Sequence, residues 1–273
     1  MPLVDIGANL THASFGDDLD AVVVRARGAG VSTLVVTGTT VTESRLAAAI
    51  ADRHGLYCTA GVHPHHARDC DERTMPDLRQ ISAHPRCVAI GECGLDFNRN
   101  YSPHPDQEKW FVAQLELGLE LAKPLFLHSR DAHPRFAEIL RAHGVKRAVA
   151  HCFTGDKEEL HAYLDLGLYI GITGWICDER RGQHLLALVR DIPSDRLLLE
   201  TDSPYLTPRD LRPQPKARRN EPAFLPHILK TVARAINRDP EEVAAETTRN
   251  AERLFGIRHE SGSSLTSQRA ASA

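Results

Sequence analysis

The stretch Cys87-Val88-Ala89-Ile90-Gly91-Glu92-Cys93-Gly94-Leu95-Asp96 ends a short apolar run in a carboxylate set between glycines. A continuous rather than alternating apolar run reads as a strand buried on both faces. Glu92 then sits where such a strand reaches a mouth, and Gly91 and Gly94 let the backbone turn and a ligand approach closely. Taken alone, the motif also fits a carboxylate capping a strand-to-helix turn. Its recurrence along the chain separates the two readings.

Working outward, similar apolar runs occur at Leu3 to Ile6, Thr33 to Thr37, Tyr57 to His63, Pro124 to His128, Ala148 to His151, Tyr169 to Thr173 and Leu197 to Thr201. With Cys87 to Glu92 that makes eight. Between them lie patterns of apolar residues three and four apart, as in Val41 to Arg53, Pro105 to Leu121 and Lys157 to Leu166, which predict helices. A strand-then-helix period repeated eight times, with strands apolar on both faces, predicts parallel pairing through right-handed crossovers and closure as a (β/α)8 TIM barrel. A chain of 273 residues fits one such domain, expected over residues 1–257. From Arg258 the Ser- and Ala-rich end loses periodicity, and a flexible C-terminal tail is expected over 258–273.

The formal net charge of −3 provides no global basic field, so any contact with nucleic acid must be local. The six cysteines show no paired CxxC spacing and read as thiols of a reducing compartment. The N-terminus runs straight into Leu3-Val4-Asp5-Ile6-Gly7 without a basic, apolar leader, and no apolar stretch is long enough to span a bilayer. A cytoplasmic, monomeric protein without a membrane partner is expected.

In a barrel of this kind the active site is built from the C-terminal ends of several strands. Those ends carry Asp5, Gly7 and Asn9, then His63 and His65, then Glu92 and Asp96, His128 and Asp131, His151, and Asp202. Any one of these histidines has an ordinary explanation as a strand-end residue. Glu92, His128, His151 and Asp202 converging on one mouth instead form a divalent-metal site by ligand type. Imidazole with carboxylate suits zinc, manganese or iron, and carboxylate with water suits magnesium. After the last strand, Arg209, Arg212, Lys216, Arg218 and Arg219 form the densest basic cluster of the chain. A charge run is usually a solvated face, but this one lies beside the mouth, where phosphate contact is expected of Arg218 and Arg219. Phe97, Trp175 and Tyr205, each just past a strand end, offer either packing or base stacking.

The segments Ala60-Gly61-Val62-His63-Pro64-His65, Ala89 to Phe97, His151-Cys152-Phe153-Thr154-Gly155, Gly171 to Trp175 and Glu200-Thr201-Asp202-Ser203-Pro204-Tyr205-Leu206 resemble the TatD family of metal-dependent deoxyribonucleases. Arg219-Asn220-Glu221-Pro222 continues the match, which runs in order from Val4 to Ile257 and is nearest to the subfamily that gives the family its name. The resemblance implies an amidohydrolase-like TIM-barrel hydrolase, a Mg2+-dependent 3'-to-5' exonuclease on single-stranded DNA and on RNA, with a part in DNA repair. Mn2+ or Zn2+ are the alternative cations. Residue by residue, it carries over Glu92, His128 and His151 as metal ligands, with Asp202 as catalytic carboxylate or additional ligand. One departure stands out. The wider family opens with Asp-x-His-x-His-Leu, and here Asp5-Ile6-Gly7-Ala8-Asn9-Leu10 lacks both histidines, which argues against a permanent two-metal site.

Phosphodiester hydrolysis needs an activated water, charge neutralisation on the phosphate and stabilisation of a departing oxygen. In that scheme Asp202 acts as general base, and His63 contacts the phosphate or protonates the leaving group. His65 is a weaker candidate for substrate contact. The rival readings are a metal-dependent hydrolase of a small amide or ester, a deacylase of charged tRNA, and a metal-stabilised scaffold without activity.

Overall fold

The computed structural model describes residues 2–215 and 218–258. Lys216 and the tail expected over 258–273, apart from Arg258 itself, lie outside the described residues. Among the described residues eight strands form a single sheet: β1 (Leu3–Ala8), β2 (Val31–Val36), β3 (Tyr57–Ala60), β4 (Cys87–Asp96), β5 (Leu125–Arg130), β6 (Ala148–Ala150), β7 (Tyr169–Ile172) and β8 (Leu197–Leu199). Each pairs in parallel with the next in chain order. The sheet closes where β1 meets the segment just past β8: Asp202 N–H donates to the Gly7 carbonyl at 2.8 Å and Asn9 N–H to the Ser203 carbonyl at 2.7 Å. The barrel expected from the sequence is thus the barrel found.

Burial on both faces explains why the strands read as unbroken apolar runs. Leu125 and Leu127 pack outward under the helices, while Phe126 between them joins Val4, Ile6, Val35, Val149 and Leu198 inside the barrel. The last helix, Pro240–Phe255, starts on an Asp239 cap whose carboxylate accepts the Glu241 N–H at 2.6 Å, and stops at Gly256. Its Leu254 and Phe255 plug the inner core from below. The opposite end, at the strand C-termini, stays open. Among the described residues no helix is long and apolar enough to cross a membrane.

β4 differs from its reading in one respect: it does not stop at Glu92 but runs on to Asp96. Its register against β5 shifts between Ile90 and Cys93, and Gly91 and Gly94 take φ of +133° and +149°. A side chain at either glycine would strike the main chain of Phe126 or His128. The two strands therefore approach closely only because these positions are glycine, and together they carry Glu92, Asp96 and His128 to the mouth.

Candidate metal centre and its mouth

A cavity of about 620 Å³ opens at the C-terminal ends of the strands, and His63, His65, Glu92, His128, His151 and Asp202 all line it. Its floor is organised around one atom. Glu92 Oε1 lies 2.8 Å from His151 Nε2, 3.1 Å from His128 Nδ1 and 3.2 Å from His63 Nε2. Three imidazole nitrogens crowd one carboxylate oxygen, more than its two lone pairs serve well as hydrogen-bond acceptors. Mixed nitrogen and oxygen donors at this density suit a divalent cation. His128 Nε2 adds to the fit: it is buried without a hydrogen-bond partner among the described residues, 3.5 Å from Asp96 Oδ2.

The three histidines are not equivalent. His63 begins the turn Pro64–Asp69, where its Nδ1 accepts the His65 N–H at 3.1 Å. A neutral imidazole that accepts through Nδ1 carries its proton on Nε2, so His63 presents an N–H, not a lone pair, to Glu92. Burial holds it neutral, lowering its pKa to about 4 against the pull of Glu92. His151 is held from behind: its Nδ1 lies 3.4 Å from Glu200 Oε2, which points Nε2 inward. Burial opposes charge there too, but Glu92 and Glu200 outweigh it and raise the His151 pKa well above the usual range. For Glu92, burial is likewise overcome, chiefly by the charge of His151, and its carboxyl stays ionised. Glu92, His128 and His63 each place a ligand atom within 4.8 Å of the others, close enough to hold a cation, and His151 Nε2 reaches the same Glu92 oxygen.

Glu200 was given no role in the reading of the sequence. It is fully buried, and its Oε1 accepts the Cys152 N–H at 2.5 Å. A methyl group at Gly7 would lie 2.5 Å from Glu200 Oε2, so in this chain the space beside Gly7 belongs to Glu200. The signal was there: Glu200 follows Leu197-Leu198-Leu199 as Glu92 follows its own apolar run. Asn9 likewise has a task, donating from Nδ2 to Asp202 Oδ1 at 2.8 Å. Asp202 is partly exposed to the cavity but enclosed enough that burial pushes its carboxyl up to about 7; His151 opposes this, while Glu92 and Glu200 add to it.

Around the rim, Asp96 Oδ2 accepts from His65 Nε2 at 2.7 Å, which orients His65 over the mouth. Asp131 instead accepts from Asn98 Nδ2 at 2.6 Å. Trp175 and Tyr205 line the cavity, whereas Phe97 stacks on His104 with ring centres 3.7 Å apart. Arg218 lines a neighbouring cleft with Trp175 and Tyr205. Arg219 is placed elsewhere, with both ends of its guanidinium bonded to Asp18 at 2.8 Å and a further bond to Glu221 at 2.8 Å. Arg209 pairs with Glu179 at 3.2 Å. The cations that face the cavity without an acidic partner among the described residues are Arg99 and Arg130, from the ends of β4 and β5. Their charge was not singled out in the sequence because neither belongs to a basic run.

A closed parallel barrel with a carboxylate and histidines gathered at its C-terminal mouth defines a metal-dependent TIM-barrel hydrolase. This chain belongs to the TatD family, whose model, described as TatD related DNase, matches residues 4–256. It is 55% identical over 259 residues to the 3'-5' ssDNA/RNA exonuclease TatD of Erwinia amylovora, covering 93% of this chain and 100% of that one. Its structure is similar to that of a TatD homologue from Escherichia coli, with a TM-score of 0.86, 27% identity, and coverage of 94% and 98% of the two chains. The fold alone is shared with N-acetyl-D-glucosamine-6-phosphate deacetylase from Mycobacterium smegmatis, at a TM-score of 0.61 and 10% identity over 94% and 78% of the chains.

Proposed function

We propose that the protein is a Mg2+-dependent 3'-to-5' exonuclease that hydrolyses phosphodiester bonds of single-stranded DNA and RNA. The observation that carries this reading is the convergence of His63, His128 and His151 on Glu92 at the floor of an open mouth, flanked by Arg99 and Arg130, which have no acidic partner among the described residues. The activity named for its relatives is of the same class.

Mg2+, or Mn2+ or Zn2+ in its place, held by Glu92, His128 and His151 would offset charge on the phosphate and lower the pKa of a bound water. Glu200 fixes the His151 ring through Nδ1, as outer-sphere carboxylates commonly do, and Asp96 faces the outer nitrogen of His128. Asp202, oriented by Asn9, takes the proton of the attacking water as general base. His63, neutral with its proton on Nε2, donates to a phosphate oxygen or to the leaving oxygen. Arg99 and Arg130 pair with the phosphates, Arg218 guides the strand at the rim, and His65 borders its path. A carbonyl substrate such as an amide, ester or aminoacyl-tRNA bond would leave both arginines beside the mouth without a clear task. A monomer acting in DNA repair in the cytoplasm completes the proposal; of this, the free cysteines bear only on the reducing compartment.

The test is a 5'-labelled single-stranded oligonucleotide incubated with Mg2+ or with EDTA and resolved on a gel. A ladder of labelled products shortening one nucleotide at a time, absent with EDTA, is expected. Internal cuts, or full activity in EDTA, would overturn the assignment.

A further inference from the structure

We propose that a side cavity next to the mouth is a subsite for the base of the 3'-terminal nucleotide, with Trp175 as its stacking platform and Glu159 reading its edge. The proposal rests on the nuclease reading above and adds a residue-level account of how the strand end is held.

The side cavity measures about 200 Å³ and shares a wall with the main one, formed in part by Arg130, Trp175 and Arg181. That volume is below the roughly 300 to 1,000 Å³ of pockets for drug-sized ligands and suits a single flat ring system. Trp175 is held before any ligand arrives. It sits on the turn Gly174–Cys177, whose N–H at Trp175 donates to Thr173 Oγ1 at 3.2 Å, and its indole N–H donates to the Arg181 carbonyl at 3.4 Å. The Arg181 guanidinium lies 4.3 Å from the ring centre and is tied to Asp178 at 3.0 Å, so it braces the ring. Arg130 lies 5.8 Å from the same ring centre, and a braced indole on a cavity wall is the kind of surface on which single-strand binders stack bases.

On another wall lies Glu159, whose carboxylate has no hydrogen-bond or ion-pair partner among the described residues. Burial, with Asp156, Asp131 and Glu158 nearby, raises its pKa to about 7. A half-enclosed carboxyl without a partner is costly unless a ligand supplies donors, and the N–H groups on a base edge do so. Arg130 belongs to both cavities and has no acidic partner among the described residues. A phosphate held by Arg130 over the metal centre therefore places the adjoining base in the side cavity.

The experiment measures the affinity of fluorescently labelled single-stranded oligonucleotides by anisotropy in EDTA, comparing an intact 3' end with one whose terminal nucleotide is abasic. Cleavage of both in Mg2+ is followed in parallel. For the intact oligonucleotide, Trp175→Ala should weaken binding about tenfold or more and Glu159→Gln about fivefold. For the abasic end, both losses should shrink to within about twofold. Equal losses on the two oligonucleotides, or none on either, would overturn the subsite. Absence of cleavage by the unmutated protein in Mg2+ would count instead against the nuclease reading, since the binding comparison does not depend on turnover.

Discussion

At the residue scale, the site depends on a few atoms whose protons are set by their neighbours. Replacing Glu92, His128 or His151 by alanine should lower activity by at least about 1,000-fold, because each removes a proposed cation ligand, while the barrel interior beneath stays packed. Thermal melting followed by circular dichroism checks the second half; loss of the folded transition in the Glu92 variant would mean that this carboxylate is structural. Glu200 calls for a subtler change. Glu200→Gln keeps a carbonyl to accept the Cys152 N–H but weakens the hold on His151 Nδ1, so metal affinity or activity should fall about 10- to 100-fold with little change in melting. Wild-type activity in that variant would remove Glu200 from the account.

At the scale of elements, the seam between β1 and the end of β8 does two jobs. It closes the barrel, and it delivers Asn9 and Asp202 to the mouth side by side. Just below, the buried Asp5 accepts Thr201 N–H at 2.9 Å and Thr201 Oγ1–H at 2.6 Å. Burial pushes the Asp5 carboxyl up to about 7 from an ordinary value near 3.8, outweighing those bonds. Between these limits the folded chain keeps a proton that the unfolded chain has released. Its contribution to stability is therefore full in acid and lost as pH rises through about 7. The urea midpoint should fall from pH 5 to pH 8 by more in the wild type than in Asp5→Asn, and an identical pH dependence in the two would refute the assignment. The loop after β8 is anchored by a different kind of contact. Arg219 binds Asp18 and Glu221, while Arg25 binds the same two carboxylates from the helix Leu19–Gly28.

On the scale of the whole molecule, a slightly acidic protein has to bind a polyanion through a few unpaired cations. Arg130→Ala should weaken binding of a single-stranded oligonucleotide and make its salt dependence shallower by about one phosphate contact. Arg219→Ala should instead leave the salt slope alone and lower stability by about 1 kcal/mol, since its charge is already committed to Asp18 and Glu221. The reverse pattern would return phosphate contact to the loop. The number of cations is also a property of the whole mouth. With Gly7 leaving its space to Glu200 and Asn9 bonded to Asp202, calorimetric titration with Mn2+ in the absence of nucleic acid should give a stoichiometry near one. Asp202→Asn should keep that binding while activity falls at least about 100-fold, because a carboxamide cannot accept the water's proton. Two equally tight Mn2+ sites in the free protein would contradict this picture.

The fold was legible in the chain because strands buried on both faces have to be apolar throughout, and eight such runs alternating with helical periods leave little choice of architecture. Glu92, His128, His151 and Asp202 were legible for a related reason: each follows directly on an apolar run, and the ends of barrel strands share one mouth. The sequence could not say how those groups divide the labour. That His63 offers an N–H depends on the turn that places His65 N–H against its Nδ1. The space beside Gly7 is held by a residue 193 positions away in the chain, Glu200, which packs there only once the barrel has closed. The cations lining the main cavity without an acidic partner among the described residues, Arg99 and Arg130, likewise lie outside the basic run, whose Arg218 lines the cleft beside it. Arg219 finds Asp18 and Glu221, whereas Arg99 and Arg130 belong to no basic run and have no acidic partner among the described residues. Composition and spacing determine which residues arrive at the mouth; pairing across the closed barrel decides which of them remain free to meet a ligand, because charge and hydrogen-bonding capacity are spent on neighbours that only tertiary structure supplies.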